Sequence, residues 1–285
     1  MLPECMPAAP SKSQVTILYE AFGKPSNLKK DWGYSALIEY GGKRILFDTG
    51  NNVEVLKYNV ETLKIDLQHL DFVVISHRHG DHTSGLSYVL GVNPAVPIYT
   101  PYEVSGFGTP VLPGIVAAMN RRIPSLPDDM HYFDGQHQEP RPSGSPWPTA
   151  HFIQIAKTRE VAPGFFIISL VSDAAGTKEM QEISLAIQTP EGLVLIVGCA
   201  HPGIQNIIQE ANRLDARIYS VFGGFHLLAA SDAEVQKIAT ALHDQWKIER
   251  IGPGHCTGLP ALAALRDLYQ GEYLSAGLGS VIPLP

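Results

Sequence analysis

Residues 72–86 read FVVISHRHGDHTSGL, an apolar run that stops at three histidines and an aspartate within six positions. This stretch constrains the chain more than any other. A buried strand that ends in imidazoles and a carboxylate must deliver them to something that offsets their burial. Neutral imidazole and carboxylate are the donors a divalent transition metal prefers. In extended backbone the H-x-H alternation sets His77 and His79 on one side. Gly80 permits a tight bend, and Asp81 and His82 follow it, aimed at a neighbouring position. The spacing predicts a metal loop that supplies part of two adjacent donor sets. A histidine-rich surface loop is the plainer alternative, and the apolar strand in front of it argues against that.

Such a loop needs further ligands from elsewhere. Three histidines share one context, a glycine-rich junction after an apolar run: His201 in VGCAHPGIQ, His226 in FGGFHL and His255 in GPGHCTG. Their placement predicts convergence on one edge of a sheet, with His201 and His255 as metal ligands. His226 is expected to face the substrate, as a proton donor or hydrogen-bond partner. For each, a loop histidine bonded to backbone carbonyls is the bland alternative. His69, His131, His137, His151 and His243 lack this context, and His243 falls on the polar face of a predicted helix.

The rest of the chain frames that loop. At 285 residues with 45% hydrophobic content it can bury a large core. A net charge of −7 argues against a general nucleic-acid partner. Three scattered cysteines make no disulfide framework. The N-terminal MLPECMPAAPSKS shows no secretory leader, and GLVLIVGCA is too short to span a bilayer. The expectation is a cytoplasmic protein whose partner is a small-molecule substrate, with no nucleic acid and no membrane; the oligomeric state stays open.

Strands are predicted over 35–40, 44–50, 71–76, 164–171, 182–188, 192–198, 217–224 and 248–254, and GG between the first two signals a hairpin. Helical spacing marks GIQNIIQEANRL, SDAEVQKIATALHDQW, with Ser231 and Glu234 spaced as a capping box, and ALAALRDLYQG, ended by Gly271. Proline-rich residues 91–150 read as a loop-rich insertion near the active site of a single domain, 1–285. The two halves read as strands followed by helices rather than as alternating βαβ units.

HRHGDH resembles the H-x-H-x-D-H motif of the metallo-β-lactamase superfamily, and ILFDTG resembles that superfamily's early strand, ending here at Asp48. The resemblance covers most of the chain. It implies an α/β fold, an αββα sandwich, with two divalent metal ions at one edge of its two sheets. GCAHPGIQN, GGFHL and GPGHCTG further resemble the branch named for the dihydropterin–ribofuranosylaminobenzene phosphate synthase of methanopterin biosynthesis.

What the resemblance implies for individual residues is specific. His77, His79, Asp81, His82, His201 and His255 would hold the metals, and Asp48 would bond a ligand imidazole from behind. Many members end the strand matched by LVLIVG in Gly-Asp, whose carboxylate bridges the ions; this chain has Gly198-Cys199, and His201 stands for the usual lone histidine. Cys199 is expected as a small buried residue behind the ligands, with soft ligation as the alternative. Cys256, beside His255, is expected to pack there too. Glu182 and Asp173 lie upstream without a local signal. His79 stands where oxygen-reducing iron members carry Glu, which favours zinc over manganese or iron.

The expected chemistry is that of a dinuclear metal-dependent hydrolase. A metal-bound hydroxide would attack a small anionic ester, lactone or phosphoester, Asp81 would hold the second ion, and His226 would serve the leaving group. The branch implies an alternative, a transferase joining a ribofuranosylaminobenzene phosphate to a dihydropterin. Arg121, Arg122, Tyr132 and Trp147 could then meet phosphate or ring, or could be ordinary surface residues. A non-catalytic metal-binding sensor is a third reading, disfavoured by the full set of six ligands.

Overall fold

Alternation of apolar side chains decides how these strands stack. The computed structural model describes residues 13–104, 106–109, 118–137 and 145–285. Cys5, the leader-free reading of the N-terminus and much of the proline-rich stretch fall outside them. The strands are β1 Gln14–Tyr19, β2 Ser35–Tyr40, β3 Lys43–Phe47, β4 Phe72–Val74, β5 Pro97–Pro101, β6 His151–Ile155, β7 Arg159–Ala162, β8 Phe165–Val171, β9 Gln181–Thr189, β10 Gly192–Val197, β11 Ile218–Gly224, β12 Arg250–Gly254 and β13 Val281–Pro283. They form a seven-stranded sheet, β13-β1-β2-β3-β4-β5-β6, and a six-stranded sheet, β12-β11-β10-β9-β8-β7.

The central strands of both sheets present two buried faces. Val15, Ile17, Ala36, Ile38, Ile45 and Phe47 of the first sheet meet Ile183, Leu185, Ile187, Val194 and Ile196 of the second. The opposite face of the first sheet, with Leu37 and Leu46, packs under helices α1 Val53–Thr62 and α3 Leu86–Val92, which flank the single turn α2 Gly80–Thr83. Leu193, Leu195 and Val197 pack under α4 Ile204–Ala211, α5 Asp232–Thr240 and α6 Leu259–Tyr269. The result is the four-layered αββα sandwich of an α/β protein. Among the described residues no helix is long and apolar enough to cross a membrane.

Several local features differ from the sequence reading. Pro97–Pro101 is a strand inside the first sheet, paired in parallel with β4 and β6, so the loop-rich stretch starts only after it. Its prolines sit at the strand's two ends, where the missing N–H costs least. β3–α1–β4 and β10–α4–β11–α5–β12 are true βαβ crossovers with parallel pairing, so the halves do not simply run strands then helices. The last predicted helix ends at Tyr269, with Gln270 at φ +47 as its cap in place of Gly271. The Ser231 side chain accepts from Glu234 N at 3.3 Å, as the capping box requires. β2 and β3 are joined by Gly41-Gly42, both at positive φ, the two-residue turn that matches strand twist.

The crossovers have a functional consequence. β3 and β4 run parallel, as do β10, β11 and β12, so their C-terminal ends collect on one edge of each sheet. Open α/β sheets bind ligands outside such ends. Asp48 follows β3, the histidine loop follows β4, Cys199 follows β10, His226 follows β11 and His255 follows β12. The two edges are sewn together where Ile183 N donates to Ser76 O at 2.8 Å.

Candidate metal centre

The strand that delivers the histidine loop ends in buried residues, so the imidazoles start inside the protein. His77 and His82 are fully buried, and His201 and His255 nearly so. His79 precedes the single turn of helix over Gly80–Thr83, and this turn carries Asp81 and His82 to the far side. Two compact donor groups result. His77, His79 and His201 form one, Asp81, His82 and His255 the other, and within each the ligand atoms lie within 4.8 Å of one another.

Inside these groups, ring nitrogens face ring nitrogens. His77 Nε2 stands 3.0 Å from His79 Nδ1, and His82 Nε2 stands 3.1 Å from His255 Nε2. Asp81 Oδ2 lies 3.3 Å from His255 Nε2 and 3.7 Å from His82 Nε2. Nitrogens this close share a proton between them or a cation in its place. The donor set, nitrogen with carboxylate oxygen, is one that zinc and related divalent ions take. The residues fit a metal.

The opposite nitrogen of each inner ring is fixed from behind. Ser76 Oγ is 2.8 Å from His77 Nδ1, and Asp48 Oδ2 is 2.6 Å from His82 Nδ1. Asp48 also accepts from Ser76 N and Ser76 Oγ, both at 2.7 Å. Asp48 takes φ +55, a left-handed conformation held by these bonds. Such contacts select the tautomer that aims Nε2 at the centre. Burial opposes a charge on His82, but the Asp48 carboxylate outweighs it and raises the imidazole to about 9. The potential that draws a proton to this nitrogen also draws a metal cation. His77, pushed well down by burial and by its histidine neighbours, stays neutral. His255 Nδ1 is buried without a hydrogen-bond partner among the described residues.

Glu182 carries more of the architecture than its sequence context suggested. Its Oε1 accepts from Cys199 N at 2.9 Å and Ala200 N at 2.8 Å; its Oε2 accepts from His201 N at 2.9 Å and sits 2.8 Å from His201 Nδ1. Burial alone would raise this carboxyl, but the His201 imidazole and the backbone N–H groups hold it below its ordinary value. The clamp fixes the Cys-Ala-His turn, in which Ala200 adopts φ +61. Glu20, which follows β1, is a second missed residue: its Oε2 accepts from His255 N at 2.8 Å, and burial raises its carboxyl to about 8. No local motif marks either glutamate. Asp173 is exposed.

His226 is exposed beside the donor groups, with φ +53 and its ring centroid 4.4 Å from that of His201. The Cys256 thiol beside it raises the His226 pKa. Cys199 and Cys256 are both buried and unpaired by disulfide. Trp32, 41% exposed, stands 5.0 Å from the His255 ring and offers an aromatic face beside it. A cavity of about 340 Å³ opens beside His79, lined by Arg78, Gly80, Thr177, Lys178 and Met180. Arg78 reaches Glu103 at 3.6 Å and donates to Thr109 O at 2.6 Å. Of the residues weighed for substrate contact in the proline-rich stretch, Arg122 and Trp147 have other partners, and Arg121 is exposed. Arg122 pairs with Asp128, and Trp147 bonds Ser87 Oγ and packs on Phe152; Tyr132 is exposed.

The sequence model of the metallo-beta-lactamase superfamily matches residues 33–203. The chain belongs to this superfamily. Among curated relatives, the 7,8-dihydropterin-6-methyl-4-(beta-D-ribofuranosyl)-aminobenzene-5'-phosphate synthase of Methanocaldococcus jannaschii is 27% identical, over 94% of this chain and 95% of that protein. Among solved structures, Tm1679, a metal-dependent hydrolase of the beta-lactamase superfamily, is 25% identical with a TM-score of 0.69, covering 95% of this chain and 98% of that one. The metallo-beta-lactamase fold protein YhfI of Bacillus subtilis, at 14% identity and a TM-score of 0.56 over 95% and 98%, shares the fold alone.

Proposed function

We propose that this protein is a dinuclear metal-dependent hydrolase of a small anionic ester, lactone or phosphoester. The observation that carries the reading is the pair of donor groups at one sheet edge, with a cavity beside His79 lined by Arg78 and Lys178. His77, His79 and His201 would hold one ion, and Asp81, His82 and His255 the other, with zinc preferred for its affinity for nitrogen donors and manganese or iron as substitutes. When bound, two such ions supply Lewis acidity and a water whose pKa falls to about 7 for zinc.

The chain's own residues do the rest. Lys178, which is exposed, draws the anionic group of the substrate into the cavity and sets its reacting centre beside His79, while Arg78, held by Glu103, lines the wall. His226, exposed beside His201, donates a proton from its imidazole to the departing oxygen. Asp48 and Glu182 hold the His82 and His201 rings in one orientation through turnover.

A second reading is supported by a specific feature. The M. jannaschii synthase matches nearly the whole chain, and Trp32 provides a stacking surface suited to an aminobenzene or pterin ring. The same site would then run the transferase reaction, joining a ribofuranosylaminobenzene phosphate to a dihydropterin.

One experiment separates them. The metal-loaded protein is assayed on a lactone, a phosphodiester, a phosphomonoester and a β-lactam, with and without chelator, and in parallel on the two pterin-pathway substrates. Hydrolysis abolished by chelation and restored by zinc or manganese supports the hydrolase and names its bond class. Silence on the whole panel with product formed from the pterin pair would replace the hydrolase with the transferase.

A further inference from the structure

Within the metal centre just proposed, on which this inference rests, one buried atom sits between the two donor groups. Cys199 Sγ lies within 4.8 Å of the ligand nitrogens of His77 and His82, one from each group. It also clusters with His201 on one side and with His255 on the other. No other side chain belongs to clusters reaching all four of these histidines among the described residues. Its distance to His82 Nε2, the nitrogen left to face the centre once Nδ1 binds Asp48, is 3.3 Å.

We propose that Cys199 is the bridging ligand of the centre, its sulfur shared between the two metal ions.

Geometry supports this first. Donors on one ion stand apart by at most about twice a metal–ligand length of roughly 2.0–2.3 Å. Cys199 meets that condition toward His82, at 3.3 Å, and lies within 4.8 Å of His77 in the other group, close to the limit; a position reached from two donor sets is a bridging position. The backbone is also built to hold it. Glu182 clamps the N–H groups of Cys199, Ala200 and His201 together, so sulfur and imidazole are fixed as one unit. Gly198 lets the preceding strand press against Ser76, since a Cβ there would stand 2.2 Å from Ser76 Oγ. That contact brings the sulfur up to the histidine loop.

Charge supports it second. The six nitrogen and oxygen donors include five neutral imidazoles and one carboxylate, Asp81. Two divalent ions held by that set leave a large positive excess in a buried site, which is costly. A bridging thiolate supplies an anion at the point where both ions need it, and thiolate is a good zinc donor. Cys256 is placed differently. It clusters with Cys199 and His255 and bonds the Cys199 carbonyl through its thiol at 3.6 Å, which puts it beside the bridge rather than in it.

Cobalt(II) is the probe, because thiolate ligation to cobalt gives a near-ultraviolet charge-transfer band. The full-length metal-free protein is titrated with cobalt, with bound metal counted independently. The expected result is a band that grows with both the first and the second equivalent, persists in Cys256→Ser and disappears in Cys199→Ser. Cys199→Asp should bind as much cobalt as the wild type without the band, since a carboxylate can also bridge. Two cobalt ions bound with no band, or a band unaffected by Cys199→Ser, would overturn the bridge and leave the metal centre standing. A band complete after one equivalent would make the sulfur a ligand of one ion and overturn the bridge as well. Failure to bind cobalt at all would overturn both the bridge and the centre.

Discussion

Glu182→Gln tests the clamp behind the centre most sharply. The carboxylate accepts four hydrogen bonds, two at each oxygen, from Cys199 N, Ala200 N, His201 N and His201 Nδ1. Glutamine keeps one carbonyl oxygen and turns the other into an N–H donor. At the Oε1 end it would meet two backbone N–H groups, which cannot reverse. At the Oε2 end it meets one backbone N–H and Nδ1, whose proton can move to Nε2. The amide therefore settles at the Oε2 end and forces a proton onto His201 Nε2, the nitrogen that points at His77 and His79. The bond from His201 N is lost, at roughly 1.5–3 kcal/mol, and the contact to Nδ1 survives only with its direction reversed. Metal affinity should fall about 10–100-fold, as for other residues that orient a ligand. The loss should concentrate in the ion held by His77, His79 and His201. Elemental analysis after dialysis, with chelator competition and chemical denaturation, reads both effects. A Glu182→Gln protein with wild-type stability that keeps both ions at wild-type affinity would refute the clamp.

Gly198→Ala should destabilise by about 1–3 kcal/mol through overpacking against Ser76, read by denaturant titration; a neutral result would show that the two sheet edges can slide apart. His226→Ala should cut turnover by roughly 10²–10⁴-fold at unchanged metal content, whereas full activity would remove it as the proton donor. Chelation should lower the midpoint of thermal unfolding, since an ion at one hundred times its Kd stabilises the folded chain by about 2.7 kcal/mol per site. An unchanged midpoint in protein shown to have lost its metal would mean that the donor groups are held together without it. Lys178→Ala should raise KM for an anionic substrate more than it lowers kcat, and equal KM for charged and neutral analogues would place the anion elsewhere.

The elements legible in the sequence are those whose signal is local. β2, β3, β8, β9, β10 and β11 are dense apolar runs bounded by turn residues, and each forms within two or three residues of its predicted ends. β5 is hidden because prolines mark both its ends, and β1 because QVTILY is short and opens on a polar Gln14. The βαβ connections were invisible for another reason. Strand direction depends on where the chain returns, and composition says nothing of that. The loop-rich reading of 91–150 failed at Pro97–Pro101 because a strand buried between two parallel neighbours needs few residues to form.

The site divides along the same line. His77, His79, Asp81 and His82 are legible because the six-residue spacing itself states the geometry, and His201, His226 and His255 because each ends a strand at glycine. Glu182 and Glu20 carry no such mark: each sits at the end of a strand's hydrophobic alternation, and its meaning arises only when a loop seventeen residues or more away folds onto it. Cys199 is the instructive intermediate. From sequence it is a small apolar residue beside a histidine, and burial is the sound expectation; the structure does bury it, with 4% of its surface exposed. Burial and ligation are nevertheless not alternatives here. The space into which its sulfur is buried is lined by nitrogen lone pairs from two opposed groups, and a thiol that packs there occupies the one place where a thiolate would do most to hold two cations together.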